Sequence, residues 1–337
     1  MKPFVDSTDV MNNGPELATR MERDGYLFIR GLLPVDVIEN LRRQLLQIAK
    51  EGGWTKAGTR LEDAVAELNG FCLEPEPKYN RVYHRMYNLP DFHAIQHHPR
   101  FLGLFERMLD APAMPHPRII GRTIFPQREA YTTPPHQDFI PIQGTPETYT
   151  AWFPMTDLPP EMGGLQIASG SHRHGVYDFV PSLGAGAMEV TDPLDGTWVN
   201  SPFKQSDVLI FHSMAVHKGV PCGGDRLRMS MDARFQRIRD PIAPDSLRPH
   251  IKPVTWEAIY TDWGADGLQY YWRKWKLQLK EYDFSYNQKR DQLALELAAK
   301  GDIRSRSTLQ RIMARDGDSA KRKKAEDLLA KLDAEPT

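Results

Sequence analysis

The chain has 337 residues, room for one large core or two modest ones, with 43 Lys and Arg against 44 Asp and Glu and a formal net charge of −1. That balance argues against a polyanion-binding surface, so neither nucleic acid nor an anionic membrane is an expected partner. The two cysteines, Cys72 and Cys222, lie far apart, the first residues form no apolar leader, and no run of about 18 apolar residues occurs; a disulfide framework, secretion and a membrane span are not expected, and a reducing cytoplasmic setting fits.

In chain order, residues 15–23 read as a short helix closed by Asp24-Gly25, and residues 26–29 as a strand broken at Gly31. Pro34-Val35-Asp36 opens an amphipathic helix with Ile38, Leu41, Leu45 and Ile48 near one face, ending at Gly52-Gly53. Residues 54–79 carry no sustained period and read as a long connection, a candidate lid or pocket wall. His97 and His98 cannot face the same way and read as the entry to a helix over 101–110. From 118 to 236, short segments rich in β-branched and aromatic residues alternate with Gly, Pro and Asp clusters, which predicts an antiparallel sandwich or barrel with the earlier helices on one outer face. After Pro249 the pattern is helical again, over 256–263, 268–282 and 285–300, with Trp272 and Trp275 expected against the sheet. The last segment carries Arg304, Arg306, Arg311 and the basic run 321–324; with Glu326, Asp327, Asp333 and Glu335 close behind, it reads as a solvated surface rather than a nucleic-acid site. The expected division is a β-rich domain over 1–249 and a helical extension over 250–337.

The chemistry centres on His136-Gln137-Asp138. In extended chain, residues two apart share a face, so an imidazole and a carboxylate stand side by side. They supply two members of a facial triad of two His and one carboxylate, the set that leaves coordination positions open for non-haem Fe(II) oxygen chemistry. The third must come from a distant strand, and His212 and His217 are both downstream. A turn over 218–225 would bring the His217 end close to Arg228, whose planar, always-charged fork suits a carboxylate. Such a set is what an α-keto-acid cosubstrate needs, with one end on the metal and the far carboxylate on the guanidinium.

The run His136-Gln137-Asp138, the Thr150-Ala151-Trp152 stretch, the segment 163–172 from Gly-Gly-Leu-Gln to Ser-His, and the segment 206–212 followed by His217 and Arg228 together resemble the phytanoyl-CoA dioxygenase family. The likeness spans roughly residues 25–236. It implies an α+β chain built on a double-stranded β-helix (jelly roll), using Fe(II), 2-oxoglutarate and O2. Carried over residue by residue, it implies His136, Asp138 and His217 as iron ligands in preference to His212. It implies Arg228, eleven positions beyond His217, as the 2-oxoglutarate partner in preference to Arg226. Trp152 falls where the family lines the cosubstrate, Thr123 and Gln127 are candidates for further hydrogen bonds to it, and His172 reads as structural. Related halogenases lack the carboxylate, so Asp138 disfavours halogenation, and the resemblance implies hydroxylation, with 2-oxoglutarate decarboxylated to succinate and CO2. Desaturation, epoxidation or demethylation would use the same ligands, and a non-catalytic metal-binding jelly roll is the reading from another class. The connection over 54–79, the loop after Asp138 and the surroundings of Trp198 are expected to wall the pocket. With Tyr83, His84, Arg85, Phe139 and Gln143, they suit a small-molecule substrate with an apolar body and a few polar handles. Whether the C-terminal helices pair copies of the chain as a homo-oligomer stays open.

Overall fold

The computed structural model describes residues 1–74, 76–126, 132–184, 186–250, 254–264 and 267–334. Helix α1 (Gly14–Asp24) starts where the Asn13 side chain accepts the Glu16 amide and stops at Gly25, left-handed at φ 77° with its N–H on the Met21 carbonyl. Strand β1 (Tyr26–Ile29) and helix α2 (Val35–Glu51) follow as the pattern predicts, with Ile38, Leu41 and Leu45 buried.

The expected connection over 54–79 is shorter than its pattern suggested. Two 3-10 turns, Leu61–Asp63 and Leu68–Gly70, occupy part of it, and helix α3 (Pro77–Tyr87) begins inside it. The buried face of α3 is Tyr79, Val82, Tyr83, Met86 and Tyr87, an i, i+3, i+4, i+7, i+8 series. Its period is helical, but tyrosines carry it, and their polar ends hide it from a hydropathy reading. Helices α4 (Pro90–Ala94) and α5 (Pro99–Leu109) complete this layer; the His98 side chain accepts the Arg100 amide at the start of α5, the helix-entry role expected for it.

The strands are β2 (Ala113–Pro115), β3 (Ile120–Ile124), β4 (Tyr149–Pro154), β5 (Gly164–Ala168), β6 (Phe179–Pro181), β7 (Met188–Val190), β8 (Trp198–Val199), β9 (Val208–His212), β10 (His217–Val220) and β11 (Arg228–Arg237), with the short helix α6 (Phe139–Ile142) between β3 and β4. The larger sheet runs β1-β9-β4-β11-β2, with β3 also paired to β11; the smaller runs β10-β5-β8, and β6 pairs with β7. All these pairings are antiparallel.

Strand alternation decides what each face meets. Leu27, Ile29, Ala151, Phe153, Val208, Ile210, Met229, Met231, Ala233 and Phe235 join the core with α1, α2, α3 and α5. The alternate residues Tyr26, Phe28, Trp152, Leu209 and Phe211 meet Leu165, Ile167 and Val199 of the smaller sheet in a second buried cluster. The larger sheet is therefore covered on both faces. Phe235, fully buried and stacked on Phe105 with centroids 4.0 Å apart, contributes on the order of 2 kcal/mol by burial alone.

After helix α7 (Trp256–Ile259), residues 268–282 are not helical: the 3-10 turn Tyr271–Lys274 leads into extended chain, and Leu279 bridges to Ile242. Aromatic residues there pack in several directions, which one helical face could not satisfy. Trp272 is buried and Trp275 partly buried, both in the helix-side core with Trp256 and Tyr260. Helices α8 (Ser285–Ala298), α9 (Arg306–Arg315) and α10 (Ser319–Ala334) share a small apolar cluster of their own. They rest on the β6–β7 hairpin, where Thr308 donates to the Ala187 carbonyl at 3.4 Å. Among the described residues, no helix is long and apolar enough to cross a membrane.

Candidate metal centre and its cavity

His136 and His217 are joined through the main chain, each N–H donating to the other's carbonyl, at 2.9 and 3.0 Å. That pairing sets their rings side by side, centroids 4.1 Å apart. Asp138 Oδ1 lies 3.9 Å from His136 Nε2 and 4.0 Å from His217 Nε2, and the three donor atoms fall within 4.8 Å of one another. Each ring's Nδ1 faces a carbonyl, Pro134 at 2.8 Å and Ala215 at 3.1 Å. A carbonyl only accepts, so Nδ1 carries the proton and Nε2 presents its lone pair to the centre. Asp138 Oδ2 is held separately, by Thr150 Oγ1 at 2.7 Å and Arg234 at 3.4 Å.

The electrostatics favour a cation here. Burial opposes charge on Asp138, but Arg234 and the two imidazoles outweigh it and hold the carboxyl below the ordinary range. Burial pushes His136 down to about 3, with His217 adding to the effect, and lowers His217 as well. At neutral pH the trio therefore offers two neutral imidazoles and one carboxylate, the protonation state that metal ligands require.

Along β11 the inward residues are Arg228, Ser230, Asp232, Arg234 and Gln236, a polar face opposite the apolar one. Arg228 is buried; its terminal nitrogen donates to the carbonyls of Val220 (2.8 Å) and Met162 (3.4 Å), and its Nε has no partner. No carboxylate pairs with it among the described residues, and burial lowers its pKa. A buried guanidinium left this way fits a carboxylate ligand. Gly163, at φ 75°, makes room for it: a Cβ there would lie 2.5 Å from the Pro221 carbonyl oxygen and 2.8 Å from the Arg228 guanidinium.

Arg228 lines a cavity of about 250 Å³ with Phe71, Glu74, Tyr79, Arg122 and Gln310. The stretch around Phe71–Glu74 is thus a cavity wall. Trp198, Phe139 and Gln143 do not line this cavity; Gln143 instead bonds the main chain of Asp283, and Arg85 pairs with Glu51. Trp152 is buried between the sheets, edge-on to Phe203 and across from Asp232. Thr123 touches the cavity, yet it pairs with Met229, so its side chain lies on the helix-facing side. Its neighbour Arg122 is the inward residue, donating to Asp232 at 2.9 Å and 3.6 Å from Glu74, which is 3.6 Å from His250. Burial disfavours the Glu74 carboxylate, but His250 and Arg122 bring it down to about 2. Gln127 lies outside the described residues.

His212 is held by Glu147 at 3.5 Å, and His172 bonds the Glu22 carbonyl at 2.9 Å; neither joins the trio. Gln137, passed over in the sequence, points opposite to its neighbours. Its amide donates to the carbonyls of Gly175 (2.7 Å) and Met214 (2.6 Å) and accepts the Tyr177 amide (2.9 Å), tying three segments behind the centre. Gln137→Ala should cost roughly 3 kcal/mol in urea unfolding, because it strands three buried main-chain groups. Acid should also destabilise the fold. Burial lowers His93 to about 4 and His116 to about 3, below the unfolded value, so the unfolded chain binds more protons as pH falls below about 6.5. Their stabilisation is full above that pH and is lost on the way down. The pair should remove about 4 kcal/mol of unfolding free energy between pH 7 and 5. A flat profile in metal-free protein would contradict this.

A mixed helix-and-sheet fold in which two imidazoles and one carboxylate converge has the donor set of a non-haem iron oxygenase. Residues 21–230, well over half of the chain, match the family described as phytanoyl-CoA dioxygenase (PhyH), and the chain belongs to that family. It is a non-haem iron, 2-oxoglutarate-dependent oxygenase. Its similar proteins include 1-deoxypentalenic acid 11-beta-hydroxylase of Streptomyces exfoliatus, 25% identical over 259 residues, covering 70% of this chain and 86% of that one. The enzyme of the same name from Streptomyces arenae is 26% identical over 248 residues, covering 69% and 84%. Among solved structures, the α-ketoglutarate-dependent carbocyclase SnoK from nogalamycin biosynthesis is 19% identical, with a TM-score of 0.47, covering 70% of this chain and 88% of that one.

Proposed function

We propose that the enzyme hydroxylates a small or medium-sized organic molecule, with His136, Asp138 and His217 holding Fe(II) and Arg228 binding the far carboxylate of 2-oxoglutarate. The observation that carries this reading is the convergence of two Nε2 lone pairs and one carboxylate oxygen, with a guanidinium lacking a carboxylate on an inward strand position of β11. Bound iron, with 2-oxoglutarate and O2, supplies the oxidising power, and 2-oxoglutarate leaves as succinate and CO2. The chain's own residues orient the reactants. Thr150 and Arg234 hold one oxygen of Asp138 so that the other faces the imidazoles, and the wall around Phe71–Glu74 shields the cavity from bulk water. The hydroxylases among the similar proteins favour hydroxylation over the other outcomes of the same ligands. In this reading the two sheets are the halves of a double-stranded β-helix, with Trp152 bracing its interior; Trp256, Tyr260 and Trp272 belong to its helix-side core, and α8, α9 and α10 are the helical extension packed upon it.

The test is anaerobic titration of metal-free protein with Fe(II) and 2-oxoglutarate, followed by the weak visible charge-transfer band of the chelated cosubstrate. A protein that binds no iron and develops no band would overturn the proposal.

A further inference from the structure

Helix α9 lies outside residues 21–230, yet Arg306, Ser307 and Gln310 line the same cavity as Arg122 and Arg228. Residues three and four apart share a helix face, so Arg311, one turn beyond Ser307, follows it along α9, just outside the residues that line the cavity. Arg306 is engaged by Asp333. The Nε of Arg311 is buried without a partner, and the side chains of Ser307, Gln310 and Arg311 have no hydrogen bond or ion pair among the described residues. The carboxylate that Arg311 feels most strongly is Glu74, which already serves Arg122 and His250. Two guanidiniums, Arg228 in the cavity lining and Arg311 on α9 beside it, thus lack a carboxylate within ion-pair distance among the described residues. If 2-oxoglutarate takes Arg228, Arg311 is left.

We propose that α9 is the substrate-reading wall of the enzyme, and that Arg311, with Ser307 and Gln310 beside it, binds an anionic group, carboxylate or phosphate, on an otherwise apolar substrate. This rests on the iron and 2-oxoglutarate assignment only for which guanidinium remains free. The apolar body would lie against Phe71 and Ile124, which line the cavity as well.

The test uses three matched probes: cyclohexanecarboxylate, cyclohexyl phosphate and cyclohexylmethanol. Binding is read from the change each makes in the charge-transfer band of the full-length Fe(II)–2-oxoglutarate protein, and independently from the unfolding midpoint of the metal-free protein. At least one anion should bind 10-fold or more tightly than the alcohol, and whichever anion does so identifies the substrate's group. Arg311→Gln should weaken that anion about 10- to 100-fold, to near the alcohol, while the band itself still forms. Arg311→Lys, which keeps the charge but not the fork, should fall between, and the Ser307→Ala/Gln310→Ala pair should lose a few fold. Anions no tighter than the alcohol in both readouts, or an Arg311→Gln variant that keeps full anion affinity, would overturn the assignment. A wild-type protein without the band defeats the iron-centre reading instead, and anion-dependent stabilisation of the metal-free protein still decides the role of α9.

Discussion

Asp138→Ala is expected to abolish the iron–2-oxoglutarate band and to weaken Fe(II) binding by more than the roughly 10- to 100-fold that loss of an outer partner costs a metal site. Asp138 supplies the negative charge among the three donor atoms and the oxygen on which both Nε2 atoms converge. Its removal leaves two neutral imidazoles facing the buried Arg234, whose ion-pair partner at 3.4 Å is gone. A cation would then enter a site that already holds one. Thr150→Val should act more mildly, within that 10- to 100-fold range, because it frees the second carboxylate oxygen without removing the first. Iron affinity unchanged in Asp138→Ala would place the metal elsewhere.

The second large effect is on the cosubstrate. Arg228→Gln should raise the dissociation constant for 2-oxoglutarate about 100-fold while leaving Fe(II) binding in its absence unchanged, the worth of a buried charge-assisted pair of about 3 kcal/mol. Arg228→Lys should recover little of this, since an ammonium cannot reproduce the planar fork. A purely structural arginine would behave differently. The guanidinium is buried beside two carbonyls with its Nε unpaired, so its charge is costly in the ligand-free protein. The melting point of ligand-free Arg228→Gln should therefore not fall, and a fall together with unchanged 2-oxoglutarate affinity would sink the anchor role.

The strands were legible because they follow a period of two, and His136 and Asp138 because they are separated by that period, whereas the preference for His217 over His212 came only through the family resemblance. The hairpin expected from the Gly and Pro of residues 218–225 does not form: residues 217–220 are strand β10 of the smaller sheet, whereas Arg228 opens β11 in the larger one, and the two strands do not pair. What sequence could not supply was register. One residue separates Thr123 from Arg122, and a one-residue shift moves a side chain to the opposite face; the inward arginine was missed for that reason. The Arg122–Asp232–Glu74–His250 network joins four distant segments, and no local pattern encodes such meetings. Lys321 is tied to Asp291 and Asp316, whereas Lys323 and Lys324 suit the solvated reading, with Lys323 on Glu326 and Asp327. Arg311 does not, because the docking of α9 is a tertiary event that charge pattern alone does not disclose.

The main-chain bridge between His136 and His217 carries a kinetic consequence. Both rings are set by backbone hydrogen bonds and by carbonyls behind Nδ1, none of which involves the atoms that face the centre. The donor trio is thus assembled before any ion arrives, and capture of a metal requires no refolding of the strands that present it. Loading and stripping should be reversible at the speed of ligand exchange, and a chelator should leave an intact, rechargeable protein rather than an unfolded chain.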